Sequence, residues 1–224
     1  PETKVIAVYV EGTRNGMRLK AALSEAASKK PVVGIKGGMT KHGSRAASSH
    51  TGSLVGSPET WSSLFKQTGA IQVKNHDELV NTILAFTCSP FPSGKGVAII
   101  TNSGGFSVIQ TDLCTEAGLE VTQFGEETVR ELRKMVPTAG TSIGNPLDAW
   151  PIYYNIAGKS GNLADIIKIV ALDKNIHSLV FQFDQLRYLR RMFAERLGDY
   201  MKELIDVMVS GCEYTRDEIG KPVF

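Results

Sequence analysis

Short runs rich in valine and isoleucine recur along the chain, at Val5 to Val10, Val32 to Ile35, Ile71 to Val73, Val97 to Ile100, Leu119 to Gln123 and Leu179 to Phe183. Between them apolar residues return at helical spacing, and strands that alternate with helices predict an α/β fold of parallel sheets with helices on both faces. Met17 to Ser28 reads as an alanine-rich helix stopped by Lys29, Lys30 and Pro31. Ser57 and Pro58 open a second helix, in which Trp61, Leu64 and Phe65 share one face and after which Gly69 suits a C-terminal cap. Asn75, with Glu78 three residues on, starts another in the manner of a capping box, and that helix buries Leu79, Ile83 and Phe86.

The pattern breaks at Thr87 to Gly96, TCSPFPSGKG, where two prolines, two glycines and two serines interrupt the periodicity. A domain boundary is expected there, with one domain over residues 1–88, a linker at 89–94 and a second domain over 95–224. After it come a strand at 97–101, a Gly-Gly turn, a helix to Ala117 capped by Gly118, a strand at 119–123 and a charged helix from Glu126 to Met135. A long polar loop follows from Pro137 to about Asn162, and loops of that length in compact domains are usually functional or mobile. Lys221 to Phe224, KPVF, reads as the beginning of a further strand. The first domain shows three strands, too small a sheet to cover its helices, so an opening strand and helix are expected ahead of Pro1 and the chain is expected to be a piece of something larger.

Composition narrows the function classes. The 224 residues hold 25 Lys+Arg against 23 Asp+Glu, a net charge of +2 that is dispersed along the chain and argues against nucleic acid or an anionic membrane as partner. No apolar run approaches the roughly 20 residues of a membrane-spanning helix, and no N-terminal stretch is built like a signal peptide. Cys88, Cys114 and Cys212 form neither a C-x-x-C pair nor an even disulfide set, which places the chain in a reducing compartment, the cytoplasm.

Several chemistries fall away on spacing. The AGKS at Ala157 to Ser160 lacks the glycine that a P-loop needs five residues before its Gly-Lys pair, having Tyr153 there, and no strand leads into it. Gly104 and Gly105 run on as Phe-Ser-Val-Ile rather than into a dinucleotide fingerprint. The histidines at 42, 50, 76 and 177 have no zinc-site spacing and no cysteine companions, so no metal site is expected.

Four places remain. His50 lies in SSHTGSLVG, residues 48–56, a stretch of small hydroxyl residues and glycine read as a loop, where an imidazole is approachable and backbone N–H groups can meet an anion; a solvated loop histidine fits the same residues. TNSGGF, Thr101 to Phe106, ends a strand and opens a helix, so Asn102, Ser103, Gly104 and Gly105 frame either a phosphate-binding helix start or an ordinary tight turn. Glu11 stands where the first strand ends, suited either to orient an imidazole or to face solvent. Asn145, Pro146, Leu147 and Asp148 can cap, turn or bind substrate.

Taken together, KPVVGIKGG at 30–38, SRAASSHTGSLVGS at 44–57, VAIITNSGGFSVIQTD at 97–112 and GNPLDAW at 144–150 resemble the NDP-forming acyl-CoA synthetases, the superfamily of succinyl-CoA synthetase and the ADP-forming acetate–CoA ligases. The resemblance covers nearly the whole chain. It implies two flavodoxin-like domains of the succinyl-CoA synthetase type, the first incomplete at its N-terminus, and a phosphohistidine intermediate at His50, flanked by Ser49, Thr51 and Gly52 as phosphate-binding residues. By the same resemblance Glu11 orients the imidazole, and Asn102, Ser103, Gly104 and Gly105 hold phosphate at the N-terminus of a "power helix".

The implied reaction converts acyl-CoA, phosphate and ADP into acid, CoA and ATP, reversibly. The complete enzyme would use CoA, ATP or ADP, Mg2+ and phosphate, with a CoA-binding Rossmann domain and an ATP-grasp domain as partners and an oligomeric assembly. Neither partner domain is recognisable in these residues, so the chain alone is expected to be inactive. Acetate, succinate, branched-chain and aromatic acids all remain open as acyl groups. Two other classes stand beside this one: a catalytically silent regulatory or ligand-sensing domain, which in such proteins tends to lack the histidine kept here, and a flavin-binding flavodoxin, supported by fold analogy alone.

Overall fold

In the computed structural model, which describes residues 2–51, 56–136, 142–148, 161–182 and 198–224, the chain divides into two compact units, Pro1–Cys88 and Ser89–Phe224. The first contains β1 (Ile6–Val10), α1 (Gly16–Ala27), β2 (Val32–Lys36), α2 (Lys41–Thr51), α3 (Pro58–Thr68), β3 (Ile71–Val73) and α4 (His76–Cys88). Its strands form one parallel sheet in the order β1-β2-β3, with Val10 opposite Lys36 and Val33 opposite Ile71.

Strand alternation sorts the helices onto the two faces. Ile6, Val8, Val10 and Val32 pack with Leu19 and Leu23 of α1 and with Trp61 and Phe65 of α3, while Val33, Ile35 and Val73 pack with Leu79 and Phe86 of α4. Gly34 lets α3 come close, since a Cβ there would lie 2.6 Å from the Phe65 ring. The helix ends follow the residues that cap them. Asn15 accepts from Arg18 N at 2.9 Å at the start of α1, Ser57 accepts from Thr60 N at 3.2 Å at the start of α3, and Gly69 closes α3 in the left-handed conformation at φ 75°. At α4 Asn75 accepts from Glu78 N at 2.8 Å, and the Glu78 carboxylate reaches back to Lys74 N at 2.7 Å.

The second unit contains β4 (Val97–Thr101), α5 (Gly104–Glu116), α6 (Glu126–Met135), β5 (Leu147–Asp148), α7 (Gly161–Leu172), β6 (Ser178–Phe181) and α8 (Gly198–Asp217). Its sheet is also parallel, in the order β5-β4-β6. Val97 and Ile99 face Cys114 of α5, whereas Ala98 and Ile100 join Leu132, Ile166, Ile167 and Leu204 of α6, α7 and α8 on the opposite face. Pro222 to Phe224 extend the sheet beside β6 through Leu179 N to Pro222 O at 3.0 Å and Phe224 N to Leu179 O at 2.9 Å.

Three sequence expectations are corrected. Residues 48–51, read as part of a loop, belong to α2; the hydroxyls of Ser48 and Ser49 donate to the carbonyls of Ser44 and Arg45 one turn back, at 2.9 and 3.0 Å, so these small polar residues sit in a helix. The strand expected at 119–123 is reduced to one bridge between Glu120 and Gly96. The buried Asn145 carboxamide takes its place on that edge of β4, accepting from Ile99 N at 2.9 Å and donating to Val97 O at 2.6 Å and Thr122 O at 2.8 Å. The polar stretch after Pro137 contains β5, which pairs Ile100 with Leu147 and Thr101 with Asp148.

Asp173 closes the far side of this unit. Its carboxylate accepts from Gly125 N at 2.7 Å, capping α6, and from Asn175 N at 2.9 Å. Burial pushes its pKa up, but the bonds from Asn175, Thr128 and Gly125 and the nearby Lys221 charge together hold it below the ordinary value of 3.8. A depressed pKa means the stabilisation is present above that ordinary value and is lost as pH falls through the folded one. Asp173→Asn should therefore lower stability by about 1 kcal/mol at pH 7, and the gap from wild type should close below about pH 4 in urea melts. A constant gap from pH 7 to pH 2 would show that the charge is not what caps α6.

Candidate functional site

The carboxyl edge of the first sheet carries a cleft of about 300 Å3 lined by Tyr9, Glu11, Gly37, Gly38, Gly43, Ala46 and Ala47. Ligand sites of open parallel sheets belong at this edge, where strands end and helices start. Glu11 follows β1 directly, and its carboxylate accepts a 2.9 Å hydrogen bond from the Tyr9 hydroxyl. That bond, with some burial and the carboxylate's charge, raises the Tyr9 pKa above 10.0. Gly37 makes room for the pair, since a Cβ there would lie 2.8 Å from the Tyr9 hydroxyl oxygen. Gly38, at φ 79°, turns the chain into α2, whose first turn is capped by Thr40 through Gly43 N to Oγ1 at 3.1 Å.

Helix α2 is the wall of this cleft, through Ala46 and the buried Ala47. Position 50 follows those two by four and three residues, the spacing of one helix face. Ser49 and its neighbour Ser48 also lie in the last turns of α2. Gly52 lies outside the described residues, as do the side chains of His50 and Thr51.

In the second unit the carboxyl edge of β4 runs into α5. The Thr101 hydroxyl accepts from Ser103 N at 3.2 Å and meets the Gln182 side chain at 3.3 Å. Ser103 is the N-cap and makes no side-chain cap bond, and the first helical bond is Ser107 N to Ser103 O at 3.0 Å. The N–H groups of Gly104, Gly105 and Phe106 lie ahead of that bond at the positive end of the helix. Both glycines are exposed, so backbone is open to approach. Asn102 is 7% exposed, and its Nδ2 is buried with no hydrogen-bond partner among the described residues. A buried donor without a partner at a helix start is chemistry that suits an anion's oxygen.

Asp148 stands beside the same helix start, its Oδ2 3.4 Å from where a Cβ on Gly104 would lie. Beside it, both hydrogens of the Asn145 amide go to backbone carbonyls, and the side chain ties 122 and 145 to the edge of β4.

The residues singled out in the sequence thus gather at two carboxyl edges: Glu11 and α2 in the first unit, and Asn102, Ser103, Gly104, Gly105 and Asp148 in the second. Two neighbours escape the sequence reading. Lys36 ends β2, is 4% exposed, donates through Nζ to Gly37 O and lies 5.0 Å from the centre of the Trp61 ring. The signal for it was available, because a strand buried on both faces that ends on lysine buries that lysine too. Tyr9, the partner of Glu11, carries no such signal. Among the described residues no three His, Cys, Asp or Glu side chains cluster as metal ligands, and no helix is long and apolar enough to cross a membrane.

Comparison with known proteins matches two family domains to the chain. Residues 1–86 match the succinyl-CoA ligase-like flavodoxin domain, and residues 97–206 match the ligase-CoA domain. The α subunit of ADP-forming acetate–CoA ligase II from Pyrococcus furiosus is 41% identical over 147 residues, which is 66% of this chain and 32% of that subunit. The ADP-forming 4-hydroxybutyrate–CoA ligase of Nitrosopumilus maritimus is 35% identical over 149 residues, 66% of this chain and 21% of that protein. Among solved structures, an acetyl-coenzyme A synthetase 1 from Ca. Korarchaeum cryptofilum in complex with phosphate and ADP superposes with a TM-score of 0.74 at 26% identity, covering 94% of this chain and 43% of that one. The chain therefore spans about a fifth to a third of these curated relatives.

Proposed function

Since this chain belongs to the NDP-forming acyl-CoA synthetases, carrying their succinyl-CoA ligase-like flavodoxin and ligase-CoA domains in order, we propose that it is part of an acid–CoA ligase (ADP-forming) that works through a phosphohistidine at His50. The observation that supports this most is the Glu11 cleft. A carboxylate fixed by Tyr9 at the end of β1 faces the helix whose last turn carries the SHT sequence, in the succinyl-CoA ligase-like flavodoxin domain.

In this reading the imidazole of His50 takes phosphate from an acyl phosphate formed from acyl-CoA and hands it to ADP, and covalent transfer splits one difficult step into two easier ones. Glu11 orients the ring by accepting a proton-bearing nitrogen's hydrogen bond, leaving the other nitrogen free to attack phosphorus. Ser49, Thr51 and Gly52 border the phosphate. The start of α5, with Ser103, Gly104, Gly105 and the inward Asn102 amide, supplies a second set of phosphate donors, and Asp148 is a substrate-facing group there. A CoA-binding Rossmann domain and an ATP-grasp domain with Mg2+ are the partners, on the same protein or in an oligomeric complex, and the three unpaired cysteines fit a cytoplasmic setting.

The test is turnover. The complete protein, given ADP, phosphate, Mg2+ and a panel of acyl-CoA thioesters, should make ATP and CoA, and given labelled ATP it should form an acid-labile, base-stable phosphoprotein. The isolated 224-residue chain should do neither. A complete protein that binds acyl-CoA yet turns over none of the panel and takes up no label is a sensing domain instead.

A further inference from the structure

A carboxylate stands where α5 offers its positive end to an anion. Strand pairing puts it there: Asp148 lies opposite Thr101 and Leu147 opposite Ile100. Leu147 and Ile100 belong to the core on the side of α6 and α7, so alternation turns Thr101 and Asp148 to the other face, that of α5. On that face Asp148 Oδ2 lies 3.4 Å from where a Cβ on Gly104 would stand, in contact with the first residue of the helix.

The rest of this helix start is arranged to donate. The Thr101 hydroxyl accepts from Ser103 N at 3.2 Å, while the Ser103 side chain makes no cap bond, so the N–H groups of the first turn receive no cap from it. One residue earlier, Asn102 Nδ2 is buried with no hydrogen-bond partner among the described residues. These donors are neutral and suit any oxyanion. Asp148 does not. An oxyanion beside an ionised carboxylate is repelled unless it brings a proton to place between the two oxygens. Inorganic phosphate still carries such a proton near neutral pH, whereas sulfate, of the same shape, carries none.

We infer that Asp148 makes the start of α5 selective for hydrogen phosphate over fully deprotonated oxyanions, accepting a hydrogen bond from the phosphate's own hydroxyl while the N–H groups of Gly104 and Gly105 donate to its other oxygens. This rests on the reading of that helix start as a phosphate site, and it names the species bound there as the free phosphate that enters the reaction. The carboxylate works by rejection as much as by attraction.

Anion titrations of the 224-residue chain, followed at the 1H–15N signals of Gly104, Gly105 and the Asn102 side chain at pH 7 and constant ionic strength, test it. In the wild type phosphate should bind there at least about tenfold more tightly than sulfate, the size expected when a partly buried charge repels another at close range. Asp148→Asn keeps the shape and loses the charge, and it should bring the two anions within about threefold of each other, chiefly by admitting sulfate. In the complete enzyme the same substitution should turn sulfate into an inhibitor competitive with phosphate in ATP formation from acyl-CoA, where the wild type resists it. Equal binding of the two anions in the wild type, a comparison that needs no variant, overturns the proposal. So does a preference that survives unchanged in a folded Asp148→Asn chain, which leaves Asp148 only a partner of the helix dipole. Signals that ignore both anions overturn it together with the phosphate reading of α5. A complete enzyme that forms no phosphohistidine while these signals still prefer phosphate overturns the carrier reading and leaves the selectivity standing.

Discussion

Replacing His50 with alanine is expected to abolish the phosphoprotein in the complete enzyme and to lower net ATP formation from acyl-CoA, ADP and phosphate by at least about three orders of magnitude. The size of the loss follows from the kind of role. A residue that only binds substrate can be removed at the expense of affinity, whereas a covalent carrier leaves the two half-reactions without a link. The neighbouring hydroxyls are poor substitutes, because Ser48 and Ser49 already donate to carbonyls of their own helix and a serine has no basic lone pair to rival imidazole at pH 7. Ser49→Ala should therefore keep the label while His50→Ala loses it. Acid-lability measured on both variants separates phosphohistidine from phosphoserine. Labelling of His50→Ala to the wild-type level sinks the assignment, and the fold is no excuse, since alanine continues a helix that already holds Ala46 and Ala47.

What could be read in advance follows physical lines. The helices α1, α3 and α4 are legible because their ends carry side chains that bond to backbone: Asn15, Ser57, Asn75 with Glu78, and Gly69. The strands β2 and β4 are legible because they are buried on both faces and leave continuous apolar runs, and β1, β3 and β6 because they keep valine and isoleucine on the face that is buried. Helix α2 escapes because serine and glycine are loop-formers by composition. Whether their hydroxyls turn back onto carbonyls four residues earlier depends on a helix that must already exist. Residues 119–123 have the composition of a strand, yet the edge they would occupy is taken by the side chain of Asn145, some twenty residues later, and no local pattern announces a carboxamide acting as a strand.

The site divides in the same way. Glu11 and the TNSGG turn can be placed at sheet edges from the strand pattern alone, and the structure sets them there. What brings Glu11 to α2 is invisible in one dimension. Gly37 must lack a side chain for the Tyr9–Glu11 pair to fit. That fit depends on the pairing of Val10 with Lys36 across the sheet, a contact between residues far apart in sequence.

Glu11→Gln should slow phosphorylation of His50 by about one to two orders of magnitude at pH 7 without unfolding the domain. Glutamine keeps the shape of the side chain and can still accept from the Tyr9 hydroxyl, so the end of β1 and the glycine turn beside it should hold their places. What it lacks is charge. A charged acceptor strengthens a hydrogen bond to an imidazole that becomes cationic as it is phosphorylated, and loss of such a charge-assisted bond is worth about 1.5 to 3 kcal/mol. Divided by 1.36 kcal/mol per decade, that is about one to two powers of ten in rate. An internal check comes from Tyr9, whose pKa Glu11 raises chiefly by accepting its hydrogen bond; in the variant it should titrate lower, which shows that the charge was removed where intended. Circular dichroism and melting temperature should stay at wild-type values. A variant that phosphorylates as fast as wild type while Tyr9 shifts would return Glu11 to the standing of a turn residue that happens to hold a tyrosine.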